Sequence, residues 1–337
     1  MLNIDKTAIK NILVVRFKGL GDILLSVPAL RALKKNYPNA HLTVLINKEA
    51  KEVLTGLSFI DEILLYDKKL YGGPSGFLRL VLELKRRKFD LTVDLICYPK
   101  SALLTFLSGS KYRVGTPARG RSYAYNMKVS APKEILYAPK VHLLVMKGAG
   151  VEDGDLKPEI FIPEQLQKDA EKFLFESGVS GQNAVGLNPF TNFETRSWGI
   201  SKFAELSDAL VKEGNKVVLL WGPGDDTAGF MKIAKEQIML APKTDIKQLG
   251  ALAARLKLVI TTNTFTKHIT AAVGTPTLTI YGATNPKAWE PEDKRSAYIW
   301  AGVDCQPCEK NSCEDLKCIK NISVKEVLEK ANLLLKY

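Results

Sequence analysis

The sequence predicts an α/β fold made of two doubly wound, Rossmann-like parallel-sheet domains. Three observations lead there. Short, continuous apolar runs alternate with stretches of helical periodicity, the pattern restarts after a loop-rich segment at 158–163, and the 337 residues suit two domains of ordinary size. Strands apolar along their whole length are buried on both faces, which calls for a parallel sheet covered by helices on each side. The boundary is expected near residue 160, giving domains 1–160 and 161–337.

In the first domain the run 11–17 reads as a strand, closed by Lys18-Gly19-Leu20-Gly21-Asp22. Apolar residues at three- and four-residue steps predict a helix over 23–36, with Pro28 forcing a late start or a bend. Further strands are expected at 41–46, 62–66 and 91–96, with helices at 49–54, 77–87 and 101–107 between them. In the second domain strands are expected at 184–188, 216–221, 258–262 and 277–281. Helices are expected at 202–212 and at 246–256, the latter capped by Asp245. The last helix, 324–335, is free to pack against either domain.

Composition narrows the function classes. The chain is 46% hydrophobic and 25% charged, and no apolar run reaches the ~18 residues a membrane span requires. Residues 1–10 lack the apolar core of a secretory signal, so a cytoplasmic protein is expected. A formal charge of +12 favours an anionic partner: nucleic acid, an acidic membrane surface or a phosphorylated substrate. Zinc-finger spacing, an aromatic RNP pattern and a Lys/Arg-rich tail are all missing, which argues against nucleic acid. Four of the five cysteines, Cys305, Cys308, Cys313 and Cys318, form a Cys-x2-Cys-x4-Cys-x4-Cys cluster that suits either a structural zinc site or free thiols.

Four polar segments follow strands. In Gly19-Leu20-Gly21-Asp22 the glycines allow a tight turn into a helix whose first N–H groups favour an anion. Asp22 reads there either as a reactive carboxylate or as a helix cap. The loop from Gly186 to Trp198 carries Thr191 and Arg196, a hydroxyl and a planar cation suited to a diphosphate, or else a surface charge beside a core tryptophan. Trp221-Gly222-Pro223-Gly224-Asp225-Asp226 is a turn whose carboxylates reach ribose hydroxyls or cap the next helix. Thr261-Thr262-Asn263-Thr264-Phe265-Thr266-Lys267-His268 crowds hydroxyl and amide groups at a strand-to-helix junction, with Lys267 adding charge and His268 reading as structural or functional.

In this order the segments resemble glycosyltransferase family 9, the ADP-heptose lipopolysaccharide heptosyltransferases. The resemblance runs from Ile12 to the last helix. It rests on Gly19-Leu20-Gly21-Asp22 with Pro28-Ala29-Leu30, on Trp198 with Phe203-Ala204-Glu205-Leu206, and on His268 followed by Ala271 to Pro276 and Tyr281 to Pro286. The Cys305-Gln306-Pro307-Cys308 cluster recurs in relatives. The resemblance implies the GT-B plan, two Rossmann-like domains facing a cleft, and an inverting transfer of a sugar.

It further implies that Asp22 is the general base. Thr191, Arg196, Gly222, Asp226, Asn263, Thr264, Phe265, Lys267 and His268 fall to the nucleotide-sugar donor. Lys18, Lys100, Arg113, Arg119 and Arg121 fall to the acceptor. The implied donor is ADP-heptose and the acceptor an anionic glycolipid, Kdo-lipid A or core, reached by peripheral contact with the inner membrane. No cofactor is required for catalysis. One departure stands out: relatives carry Asp-Ser-Gly-Pro-Met-His where this chain has Asn263 to His268. That change motivates the alternative of a nucleotide-sugar binding protein with altered or lost catalysis.

Overall fold

The computed structural model describes residues 4–118, 120–179 and 184–336. The chain divides into two compact units, the first ending at Phe161 and the second beginning at Ile162.

The first unit is built on β1 (Asn11–Val15), β2 (His41–Asn47), β3 (Glu62–Tyr66), β4 (Leu91–Asp94), β5 (Tyr112–Gly115) and β6 (Met127–Lys128). They form one sheet in the order β3-β2-β1-β4-β5-β6, with every pairing parallel. The second sheet uses β7 (Ala184–Asn188), β8 (Lys216–Leu219), β9 (Met239–Leu240), β10 (Leu258–Thr262), β11 (Thr277–Tyr281) and β12 (Ser296–Trp300). Its order, β12-β11-β10-β7-β8-β9, is the same topology repeated, again all parallel. Each sheet is a complete doubly wound array whose direction of winding reverses between its first and fourth strands. In such sheets ligands bind beyond the carboxyl ends of those two strands.

The apolar runs form central strands because both faces are covered. Leu13 and Val15 join Leu80, Val81, Leu84 and Leu104 in one core on the first sheet. In the second unit Leu187, Ile260, Leu278 and Ile280 pack with Trp198 and Phe203. Trp198 donates its indole N–H to Ile322 O at 3.0 Å, so it is the core anchor that one local reading allowed. The last helix, Val324–Leu335, buries Val327, Ala331 and Leu334 in that same cluster and so belongs to the second unit. The four strands that periodicity missed lie toward the sheet edges: two are two residues long, and β12 is largely half-buried.

The helix expected over 23–36 is two helices, Leu20–Leu24 and Val27–Asn36. Pro28 sits at the second position of the later one, where its missing N–H costs no hydrogen bond. The helix following residue 245 keeps its expected cap, Asp245 accepting from Gln248 N at 2.8 Å, and ends at Ala253.

Candidate active site

At the switch point of the first sheet, β1 runs into Arg16 and the turn that carries Asp22. Arg16 is 6% exposed, and its Nη2 donates to Asp22 Oδ1 at 2.9 Å. Burial lowers the arginine's pKa, opposed by the nearby carboxylates of Asp22 and Asp94, and a guanidinium remains charged at neutral pH. Asp22 does not cap a helix. Helix Leu20–Leu24 takes Gly19 as its cap, and Asp22 lies inside its first turn. Its side chain keeps a quarter of its surface open to solvent, so one oxygen is held by arginine while the group stays accessible.

Around this pair, Lys18 has φ of 107°, a conformation rare outside glycine. Its N–H donates to Asn47 Oδ1 at 3.0 Å, and its Nζ lies 4.7 Å from the Tyr98 ring centre. Lys100 Nζ lies 3.6 Å from the Tyr66 ring centre. At the end of β4 the fully buried Asp94 accepts from Ile96 N, Cys97 N and Tyr125 Oη at 3.0, 2.8 and 2.9 Å. Burial pushes its carboxyl above the usual carboxylate range.

Two of the expected acceptor residues bond protein carbonyls. Arg113 gives its Nε to Ala124 O at 3.0 Å and its Nη1 to Ser110 O at 2.9 Å. Arg121 gives its Nε to Cys97 O at 2.9 Å. Both clamp backbone carbonyls, which a helix–strand junction leaves short of donors. Arg119 lies outside the described residues.

At the switch point of the second sheet, β7 ends in Asn188 and β10 in Thr262, and helix Phe265–Val273 starts beyond them. Asn188 Nδ2 donates to Thr266 Oγ1 at 3.1 Å, and Asn263 Nδ2 to Thr284 Oγ1 at 3.1 Å. Thr264 is the residue before the helix and makes no side-chain cap, so it and Phe265 leave the first-turn N–H groups available. Asn188 Oδ1, Thr262 Oγ1 and His268 Nδ1 are buried without hydrogen-bond partners. Unpaired buried polar atoms are costly, and three of them fall within one strand–helix junction. His268 is held neutral, its pKa well below the ordinary histidine value through burial and the adjacent Lys267 charge.

Lys267 is corrected. It does not present its charge to an anion, because Nζ is fully buried and bonds Tyr281 Oη at 2.8 Å and Trp289 O at 2.6 Å. Glu290 Oε2 lies 3.6 Å away and accepts from Tyr281 Oη at 2.8 Å. The lysine thus ties the start of helix Phe265–Val273 to β11 and to the segment after it.

The Thr191 and Arg196 loop lies against the same strand ends. Thr191 Oγ1 accepts from Phe193 N at 3.3 Å, and the Arg196 guanidinium lies 4.4 Å from the Phe193 ring centre. Ala283 N donates to Thr195 O at 3.2 Å, and a Cβ on Gly282 would sit 1.9 Å from that same carbonyl. Only glycine permits this approach. Gly222 N donates to Asp225 Oδ2 at 2.7 Å, and Asp226 Oδ1 caps helix Thr227–Ile233 through Gly229 N at 2.8 Å. The capping reading of this turn is therefore realised, with Asp226 still exposed.

No disulfide joins any of the five cysteines; Cys318 is buried and Cys305 exposed. Among the described residues no three His, Cys, Asp or Glu side chains are gathered as a metal site. Sequence reasoning gave no role to Arg16, Asp94, Asn188, Thr262 or Glu290, although Asn188 and Thr262 lie within the polar segments it singled out. Four of these stand at or just past a strand's carboxyl end, the one signal that marks them; nothing local marks Glu290.

Two parallel sheets of one repeated topology, each with polar groups converging at its switch point, are the GT-B arrangement of glycosyltransferases. The profile of glycosyltransferase family 9 (heptosyltransferase) matches residues 77–319. Lipopolysaccharide heptosyltransferase 3 of Escherichia coli is 30% identical over 294 residues, covering 84% of this chain and 86% of that protein. The chain belongs to glycosyltransferase family 9. Its fold is that of the family 9 glycosyl transferase from Veillonella parvula, with a TM-score of 0.87 at 22% identity and 99% of each chain covered. It is also that of E. coli heptosyltransferase WaaC, solved with ADP-2-deoxy-2-fluoro heptose, with a TM-score of 0.73 at 19% identity, covering 96% of this chain and 99% of that one.

Proposed function

We propose that this glycosyltransferase is an inverting enzyme that moves heptose from ADP-heptose to an anionic lipopolysaccharide-core acceptor at the cytoplasmic face of the inner membrane. The observation that carries the reading is the pairing of Arg16 with a solvent-accessible Asp22, at the switch point of the first sheet. A carboxylate fixed by one oxygen and open at the other is built to take a proton.

In the reaction, the acceptor hydroxyl oxygen bonds to the anomeric carbon as its proton passes to Asp22. The bond from that carbon to the diphosphate oxygen breaks on the opposite side, and ADP departs with the electron pair. The first unit holds the acceptor, with Lys18 and Lys100 meeting its carboxylates or phosphates. The second holds the donor. The first-turn N–H groups after Thr264, together with Arg196, take up charge on the leaving diphosphate. Asn188, Thr262 and His268, each with a partnerless buried atom, have bonds to offer the nucleotide or sugar. Asn263, with its amide nitrogen already on Thr284, offers its carbonyl oxygen. Asp226 keeps one carboxylate oxygen for ribose hydroxyls while the other holds its helix.

Incubation with ADP-heptose and Kdo-lipid A or heptosylated core, with ADP release and product mass followed, tests the reading. Transfer with inversion supports it. ADP binding without release would instead mark a nucleotide-sugar binding protein. The cysteine cluster is assigned no catalytic part, and elemental analysis of untagged protein decides whether it holds structural zinc.

A further inference from the structure

Among the described residues no helix is long and apolar enough to cross a membrane. Yet one face of the first unit is unusual for a protein surface. Helix Gly73–Arg86 buries Leu80, Val81 and Leu84 against the sheet and turns Leu78 and Leu82 outward, 57% and 46% exposed. Its neighbour, helix Pro99–Leu107, buries Leu104 in the same core and turns out Phe106, 45% exposed. Phe106 meets the exposed Tyr123 ring edge-on at 5.5 Å. Single exposed leucines need no explanation; exposed apolar side chains on two adjacent helices do.

The unpaired charge on the first of these helices has one sign. On helix Gly73–Arg86 the exposed Arg79, Lys85 and Arg86 make no ion pair among the described residues. The helix's one acid, Glu83, is half-buried and already bonded to Tyr71 Oη at 2.7 Å and Arg87 Nη2 at 3.0 Å. Beside the second helix the Arg113 guanidinium lies 5.7 Å from the Phe106 ring centre.

The geometry points to this face as a docking surface for an anionic lipid bilayer, with Leu78, Leu82 and Phe106 entering the headgroup boundary and the flanking cations meeting lipid phosphates. Apolar side chains backed by a basic rim are what an interfacial helix needs, and anionic lipid supplies the opposite charge. A second copy fits worse. A two-fold interface would set Arg79, Lys85 and Arg86 against the same unneutralised cations. The inference names the surface for the membrane contact in the proposed function and rests on that reading only for the choice of lipid as partner.

Co-sedimentation of the full chain with phosphatidylcholine vesicles, with and without phosphatidylglycerol, tests it. The protein is expected to pellet with the anionic vesicles and stay in solution with the neutral ones. Raising salt from about 0.1 M to about 1 M, which shortens the screening length from about 10 Å to about 3 Å, should release it. The pair Arg79→Gln with Arg86→Gln should weaken binding at least about tenfold, since each cation near an anionic surface contributes about fivefold. The pair Leu78→Ser with Leu82→Ser should weaken it comparably. The arginine variants touch no core residue, so they remain informative if the leucine variants melt early. Equal pelleting with both vesicle types, or variants that bind like the parent chain, would overturn the inference. So would a dimer in the parent that the leucine substitutions dissociate. ADP release with a deacylated, water-soluble acceptor, followed in the same variants, keeps the two proposals apart. Its absence in the parent chain removes the transferase reading and leaves vesicle binding to stand or fall alone.

Discussion

Arg16 and Asp22 are joined by a 2.9 Å ion pair in which the arginine is almost sealed from water and the aspartate is not. The arginine is the residue that directly follows β1, and the aspartate comes from the first turn of the next helix. Such a pair fixes the carboxylate's direction without covering it.

The first prediction follows from that geometry. Since Gly19, not Asp22, caps the helix, replacing Asp22 by Asn removes a proton acceptor without removing a cap. ADP affinity is expected to stay close to that of the parent and melting to fall, since Asn keeps an oxygen for the buried Arg16 but not the charge, while kcat for heptosyl transfer falls by roughly 10²–10⁴, the usual worth of a positioned general base. Steady-state kinetics alongside a thermal melt check this. A near-normal kcat would remove Asp22 from the mechanism.

Lys267 and Glu290 form a buried pair, and each is held away from its ordinary pKa by burial, the lysine downward and the glutamate upward. Removing one partner strands the other, so Lys267→Met or Glu290→Leu alone should cost about 3–5 kcal/mol. The double variant should recover most of that loss, since an apolar pair of similar volume replaces a buried ion pair at little or no cost. Urea denaturation of all four proteins gives the cycle. Additive losses in the double variant would show that the two side chains act independently.

Arg196 lies at the end of a short 3₁₀ turn tied to β11 by the Ala283–Thr195 hydrogen bond. If it binds the donor diphosphate, Arg196→Ala removes charge-assisted hydrogen bonds worth about 1.5–3 kcal/mol. ADP affinity measured by calorimetry should then drop about 10- to 100-fold, with little change in melting. Unaltered ADP binding would assign this residue to the surface.

His142 gives a pH prediction. It is fully buried, with Nδ1 3.0 Å from Leu25 O, and burial pulls its pKa down to about 3. Between pH 3 and 6.5 the unfolded chain protonates this histidine and the folded chain does not. The unfolded state binds more protons, so stability falls on acidification through this window, by up to about 1.4 kcal/mol per pH unit. In His142→Asn the corresponding part of the acid slope should vanish, measured as the difference in denaturation free energy between pH 7 and pH 5. Parallel pH profiles for the two proteins would count against it.

The sequence by itself determined the central strands, the repeated winding and the places where polar loops leave strands. Continuous apolar runs can be buried only within covered parallel sheets, and glycines such as Gly19 mark the turns. Asp245 was legible as a cap because capping is settled within four residues. Resemblance to the family then supplied roles for those loops. Only the tertiary structure decided which polar groups bond to protein and which are left without a partner. Nothing local distinguishes the arginines that clamp carbonyls, Arg113 and Arg121, from one open to an anion. Lys267 reads as a free cation until Glu290 and Tyr281, distant in sequence, close around it. The strands at and near the sheet edges escaped for a related reason: two residues of pairing, or a face left half open, make no periodic pattern. Each of these is settled by what packs beside a residue, and that neighbour is chosen by the fold.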